Sequence, residues 1–403
     1  MRTTSRGWAA VRRLDGLDRL AAALLGCGLV ALATGALPTD RAGDAMTRIV
    51  PLLGFLGTVV VLAELTRRAE VFDAAATGVA RAARGSYPAL FGLCVLFSSV
   101  TTIALNLDTT AVLLTPVMLA LAGRVGIAPV PLAMTTVWLA NTASLLLPVS
   151  NLTNLLAADR VSLSPAEMAA RMWAPQLATL AVTMLCLWGF FWRRGRRDAA
   201  TYEPPARFRA ADPVLLRLCA VACVGFLVAV LLAELPLWAV STAAAVAVVA
   251  AFAVRDRGAL RLSLVPWRLL VLVPGMFLVV ETANAHGLHG FLVSAVGDEG
   301  GFAGMLRTAG VGAGLSNALN NLPVYVAGES AVPTGHHDQL LALLIGTNVG
   351  ATVTPWASLA TLLWFERCHW HGTPVPLRRF MATGLVLAVG CVVAATGTYA
   401  LVH

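Results

Sequence analysis

One short pattern of polar residues occurs twice in this chain, each time inside an otherwise apolar stretch. Asn141, Pro148, Asn151 and Asn154 recur 207 positions later as Asn348, Pro355, Ser358 and Thr361, with the same spacing of seven, three and three. The host stretches read WLANTASLLLPVSNLTNLLA and LLIGTNVGATVTPWASLATLLW. Each follows a second interrupted segment, ALNLDTTAVLLTP before the first and GLSNALNNLPVYV before the second. Irregular backbone at membrane depth is tolerated only where protein buries it or where it lines a wet cavity. Matched, broken hydrophobic segments in two halves therefore point to a site at the bilayer midplane, between inverted repeats.

Composition supports a chain made for lipid. Of 403 residues, 58% are hydrophobic and only 12% charged, against about 25% charged in soluble domains. Runs such as 20–37, 49–65, 214–233 and 380–402 approach the roughly 20 residues that cross a 30 Å hydrocarbon layer. The formal charge of +8 raises the question of nucleic acid, and its placement answers against it. Arginines gather in alternate short loops: Arg12, Arg13 and Arg19; Arg67, Arg68, Arg81 and Arg84; Arg193 to Arg209; Arg255, Arg257 and Arg261; Arg367, Arg378 and Arg379. The loops between are near neutral, as in Asp40, Arg41, Asp44 and Arg48 or Asp159, Arg160, Glu167 and Arg171. That alternation is the positive-inside signal. It puts the N-terminus in the cytoplasm and the C-terminus outside.

The expected fold is an all-α polytopic membrane protein. Spans fall at about 20–37 and 49–66, followed by an interfacial helix within 67–85. Residues 87–122 form two apolar arms around 106–110. Charge placement alone fits either a re-entrant hairpin or two full spans; polar residues at the turn argue for the hairpin. A broken span (131–158) and a continuous one (172–192) follow. The stretch RRGRRDAATYEPPARFRAAD is the water-soluble linker, so the divisions are 1–192, 193–213 and 214–403. The second half carries spans at 214–233, 237–254 and 266–283, an amphipathic stretch (284–300), a hairpin (301–331), a broken span (339–365) and a last span (380–401). The first hairpin opens inside and the second outside, as two inverted-topology repeats require. Glu64 and Glu281 add a matched pair.

Helix breaks with Asn, Ser and Thr present amide, hydroxyl and carbonyl groups, and half-helix ends add their dipoles. The four breaks together nominate one composite site. Taken singly, each such residue also fits an ordinary helix–helix hydrogen bond. Asp108 is the acid at the middle of the first hairpin. A charge at that depth costs about 2.5–3.5 kcal/mol on insertion scales and marks ion or proton pathways, so Asp108 is the candidate for proton or ion coupling. Glu64 and Glu281 also fit ion-paired span ends, and Glu329 a solvated position at the outer end of hairpin two. The histidines of HGLHG, His286 and His289, and the others (His336, His337, His369, His371) fit surface loops, with no third ligand for a metal. The seven cysteines are scattered without zinc spacing, Cys219 and Cys223 sharing a helix face. No Walker A motif or acid/base constellation stands out. The expectation is a carrier rather than an enzyme, with no cofactor.

At NLDTTAVLLTPVMLALA (106–122), WLANTASLLLPVSNLTNLLAADR (138–160), GLSNALNNLPVYVAG (314–328) and TNVGATVTPWASLATLLWF (347–365), the chain resembles the arsenite and antimonite efflux permeases of the ion transporter superfamily. The resemblance implies proton-coupled export of the neutral trihydroxy metalloid, with a soluble ATPase subunit in some members. It implies a substrate site at the hairpin tips (106–109 and 316–321) and the unwound points (144–154 and 352–361). Substrate contacts would then come from Asn106, Thr109, Asn151, Asn154, Ser316, Asn317, Asn320, Asn321, Thr354, Ser358 and Thr361. Leu107 departs from the permease pattern, which has Asn directly before the hairpin Asp; this bears on substrate and coupling ion, not on architecture. The other readings are a sodium- or proton-coupled carrier of organic or inorganic anions and a sodium/proton antiporter. Partners are then the small solute, protons and membrane lipid, with an ATPase subunit and a homodimer left open and no nucleic acid.

Overall fold

The computed structural model describes residues 16–193, 201–232, 235–333 and 335–403, and among these every regular element is helical. The first half comprises α1 (Gly16–Ala33), α2 (Thr39–Arg68), α3 (Val71–Ala82), α4 (Tyr87–Leu105), α5 (Leu107–Val125), α6 (Pro129–Thr142), α7 (Leu152–Arg160) and α8 (Pro165–Trp192). The second comprises α9 (Pro213–Leu232), α10 (Leu237–Arg255), α11 (Trp267–Ala283), α12 (His289–Val296), α13 (Gly301–Ala318), α14 (Asn321–Ala331), α15 (His337–Val349), α16 (Leu359–Trp370) and α17 (Leu377–Val402). Eight helices among the described residues are long and apolar enough to cross a membrane. The protein is a multi-pass membrane protein of two inverted repeats, each with a hairpin and a broken helix.

Two layers organise these helices. In one, α1 lies along α11, α2 along α10, and α9 against α10. The other holds the hairpins α4–α5 and α13–α14, the broken pairs α6–α7 and α15–α16, and the closing helices α8 and α17. Several spots need glycine for close helix approach, two of them at helix pairs named here. A Cβ on Gly275 would strike the backbone of Leu25 where α11 meets α1, and one on Gly346 would overlap the carbonyl of Ala309 where α15 meets α13.

The arms of each hairpin turn at an asparagine. Asn106 (φ 92°, ψ 166°) ends α4 and caps α5, and Asn320 (φ 155°, ψ 151°) sits between α13 and α14. Both occupy a backbone region close to glycine-only, which costs of order 1–3 kcal/mol and persists where surroundings over-determine it. Here each Asn compensates locally. Asn106 Oδ1 accepts from Thr109 N at 2.8 Å, and Asn320 Oδ1 from Leu322 N at 3.2 Å.

The linker does not hang free, although residues 194–200 lie outside the described residues, as do the arginines before Gly16. Tyr202 is buried, donates to Ala80 O at 2.8 Å and packs on Tyr87. Arg81 donates to Pro205 O, and Ala211 N to Glu70. The segment is strapped over α3 at the foot of the first hairpin.

Candidate functional site

Breaking a helix in lipid frees backbone groups that need new partners, and the sequence supplies them differently in the two halves. Between α6 and α7, Gln176 accepts from Leu145 N (2.9 Å) and donates to Thr142 O (2.9 Å), while Thr179 donates to the same carbonyl (3.0 Å). Asn154 donates to Ser144 O and to Leu147 O. Between α15 and α16 the partner is the second hairpin tip. Asn317 donates to Gly350 O (2.7 Å) and accepts from Val353 N and Thr354 N (both 3.0 Å). Its carbonyl receives Thr354 Oγ1 and Trp356 Nε1, each at 2.8 Å. Asn320 donates to Trp356 O, and Asn321 N to Ala357 O.

The repeated residues bond to one another across the halves. Asn141 Nδ2 donates to Thr361 Oγ1 at 3.3 Å, and Asn348 Nδ2 donates to Asn154 Oδ1 at 2.6 Å. These bonds are related by the 207-residue offset itself, one being the image of the other. Asn348 Oδ1 also accepts from Asn151 Nδ2 (3.0 Å) and Thr153 Oγ1 (2.6 Å). Asn151 and Ser358 additionally cap α7 and α16, accepting from Thr153 N and Thr361 N.

A cavity of about 400 Å³ lies beside this brace. Its polar lining is Asn106, Asp108, Asn151, Asn320 and Asn321. Its walls are apolar, including Phe55 and Leu56 of α2, Leu272 and Met276 of α11, and Leu359 of α16. The N-termini of α5, α7, α14 and α16 all reach it, each bringing about half a positive charge. Among the described residues, Asp108, in the first turn of α5, is the one ionisable side chain on the wall, and no Arg, Lys or His lines it. Asn106 is 2% exposed and its Nδ2 has no hydrogen-bond partner, which leaves a donor at the cavity edge. Just beyond, 110–114 form a π-helical turn, a common device for re-aiming side chains at functional sites.

The expected site residues thus divide. Asn106, Asp108, Asn151, Asn320 and Asn321 meet at the cavity. Asn154, Asn317, Thr354, Ser358 and Thr361 are buried or half-buried in the bonds just described, off the cavity wall. Thr109 supplies only its backbone N–H to Asn106 among the bonds seen, and Ser316 is fully buried with its hydroxyl unpartnered.

One expectation is corrected. Glu329 is not solvated; it is 5% exposed and ion-paired to Arg48, because a carboxylate at that depth needs a cation. Glu64 pairs with Arg67 and Arg68 on its own helix. His286 and His289 contact Thr282 O and Ser330 Oγ, and Cys223 lies 3.2 Å from Thr66 Oγ1. Sequence reasoning missed Gln176, Thr179 and Arg48. For Asp159, which pairs with Arg48, a signal existed: the 207-residue offset carries on to Asp159–Arg160 and Glu366–Arg367.

Comparison with known proteins agrees with this architecture. Residues 8–340 match the family model described as citrate transporter. An arsenical pump membrane protein of Yersinia enterocolitica is 31% identical over 361 residues, covering 82% of this chain and 81% of the relative. One from Escherichia coli is 29% identical with the same coverage, and a putative one from Bacillus subtilis 23% identical over 93% of this chain and 92% of its own. The crystal structure of the Alcanivorax borkumensis YdaH transporter, described as having an unusual topology, superposes with a TM-score of 0.59 at 13% identity. It covers 96% of this chain and 97% of its own, a likeness of fold.

Proposed function

The chain belongs to the ion transporter family that the citrate transporter model describes, alongside the arsenical pump membrane proteins, and from that premise we propose that it exports arsenite or antimonite in exchange for protons. That it is a secondary transporter follows from the family. The choice of cargo rests on the cavity wall. One carboxylic acid and four amide side chains, without any cation, suit a neutral polyhydroxy solute better than a polycarboxylate. The solute's hydroxyls can donate to Asp108 and accept from Asn106 Nδ2. Asp108 can take and release the coupled proton, as the acid that stands on the cavity wall at membrane depth.

In this reading cargo contacts come from Asn106, Asn151, Asn320 and Asn321, of which Asn151 and Asn320 also bond within the frame, and the other amides brace it. We take the repeats to divide at the linker, with one refinement. The pairing of α1 with α11 and of α10 with α2 is self-consistent if α10 corresponds to α1, which leaves α9 outside the second repeat. The N-terminus is cytoplasmic and the C-terminus external.

The test is arsenite accumulation in cells lacking their own pump. Expression should lower accumulation and raise resistance; if both stay unchanged, the cargo is wrong. The four converging helix N-termini favour one second reading, an anion carrier. Sodium-dependent citrate uptake that survives a proton uncoupler would support it instead.

A further inference from the structure

Away from the cavity wall, one charged cluster joins the two layers. Arg48, on α2, reaches to α7 and α14 at once. It forms an ion pair with Glu329, whose Oε2 lies 3.2 Å from Nη2, and donates to Asp159 Oδ2 (3.1 Å) and Leu156 O (3.2 Å). Asp159 is more than half exposed, Arg48 partly, and Glu329 hardly at all. Such a group holds only while its partner is present.

The opposite face carries the counterpart by sequence and lacks the bond. Glu366, the image of Asp159, makes no ion pair among the described residues. Its neighbour Arg367 has a buried Nε without a hydrogen-bond partner. Arg268, at the start of α11, instead donates to Asp18 of α1 at 2.7 Å. The hairpin tips differ in the same sense. Leu105 and Leu107 flank the first tip at 4% and 5% exposure, whereas Leu319 at the second is 62% exposed. The two hairpin tips are thus unequally covered, the first buried and the second exposed.

We propose that Arg48 with Glu329 and Asp159 is the latch that shuts the cavity toward the outer face, and that Arg268 with Glu366 replaces it when the carrier turns over. The proposal rests on the transporter reading and not on the cargo. Two layers tied by charge at alternate ends give two discrete arrangements, as switching between states requires. Removing one partner penalises the latched state alone, because the other charge is left buried, and the population moves to the unlatched one.

Accessibility of the cavity tests this. In a parent with Cys27→Ser, which removes the exposed thiol, Val280→Cys places a thiol on the cavity wall toward the Arg48 end of α11. A membrane-impermeant maleimide is applied from the outer face. Glu329→Gln and Arg48→Gln should each raise labelling at least about threefold. The charge swap Arg48→Glu with Glu329→Arg should bring it back toward the parent, and Glu366→Gln should lower it. Should the Glu329 or Arg48 variants fail to fold, the exposed Asp159→Asn should give a smaller rise in the same direction. Labelling that stays at the parent level in these variants overturns the latch. Labelling that shifts as expected while no variant or parent moves arsenite leaves the latch standing and removes the cargo.

Discussion

Asn348 separates bracing from binding more sharply than any other residue. Replacing it with Ala removes three buried bonds across the halves: to Asn151 (3.0 Å), Thr153 (2.6 Å) and Asn154 (2.6 Å). Its image, Asn141, loses one bond across the halves, at 3.3 Å. With buried bonds in membrane proteins worth roughly 0.6–1.5 kcal/mol each, Asn348→Ala should cost about 2–4 kcal/mol and Asn141→Ala, which also gives up a bond to Val137 O within its own helix at 2.9 Å, about 1–3 kcal/mol. Reversible unfolding in mixed dodecylmaltoside and SDS micelles, followed by circular dichroism, measures both. A cycle with Asn154→Ala should show coupling of about 0.5–1.5 kcal/mol. Equal costs for Asn348 and Asn141, or an additive cycle, would refute the brace. If Asn348→Ala instead weakened transport with stability unmoved, the residue would belong to the cargo.

Three further outcomes follow from the geometry. Asp108→Asn should abolish proton-driven arsenite uptake into everted vesicles while leaving the fold intact, and full coupled transport in that variant would remove Asp108 from the mechanism. Gly346→Ala should destabilise by several kcal/mol, on the scale of about 1–3 kcal/mol or more for overpacking, because the new Cβ meets the Ala309 carbonyl; Gly26→Ala, with nothing within 4 Å, should not. Thermal melts in detergent compare the two. Tyr202→Ala should loosen the linker from α3 and speed tryptic cleavage at Arg207 and Arg209, and an unchanged rate would show that the Tyr202 hydrogen bond and ring contact do not hold the strap.

Much of the fold was legible because a membrane narrows the choices. Apolar runs of spanning length must be helical, and Asn106, Pro148, Asn320 and Pro355 mark breaks by local chemistry: two strained caps and two prolines without an N–H. The site was legible as a neighbourhood and not as a list. Asn151 and Asn154 lie three residues apart, yet only Asn151 reaches the cavity. Asn317 and Asn320 share the same hairpin, yet Asn317 spends its side chain on the second break.

What the chain alone determined was the periodic and local part: where helices run, where they break, and that the breaks come in pairs 207 residues apart. Tertiary structure decided which way each amide faces, because a short polar side chain in an apolar layer turns to whichever partner the docked halves bring within about 3 Å. It also decided the Arg48–Glu329 pair, 281 residues apart. Neither residue's neighbours in sequence carry a trace of the other, and only the meeting of two layers makes burying that carboxylate affordable.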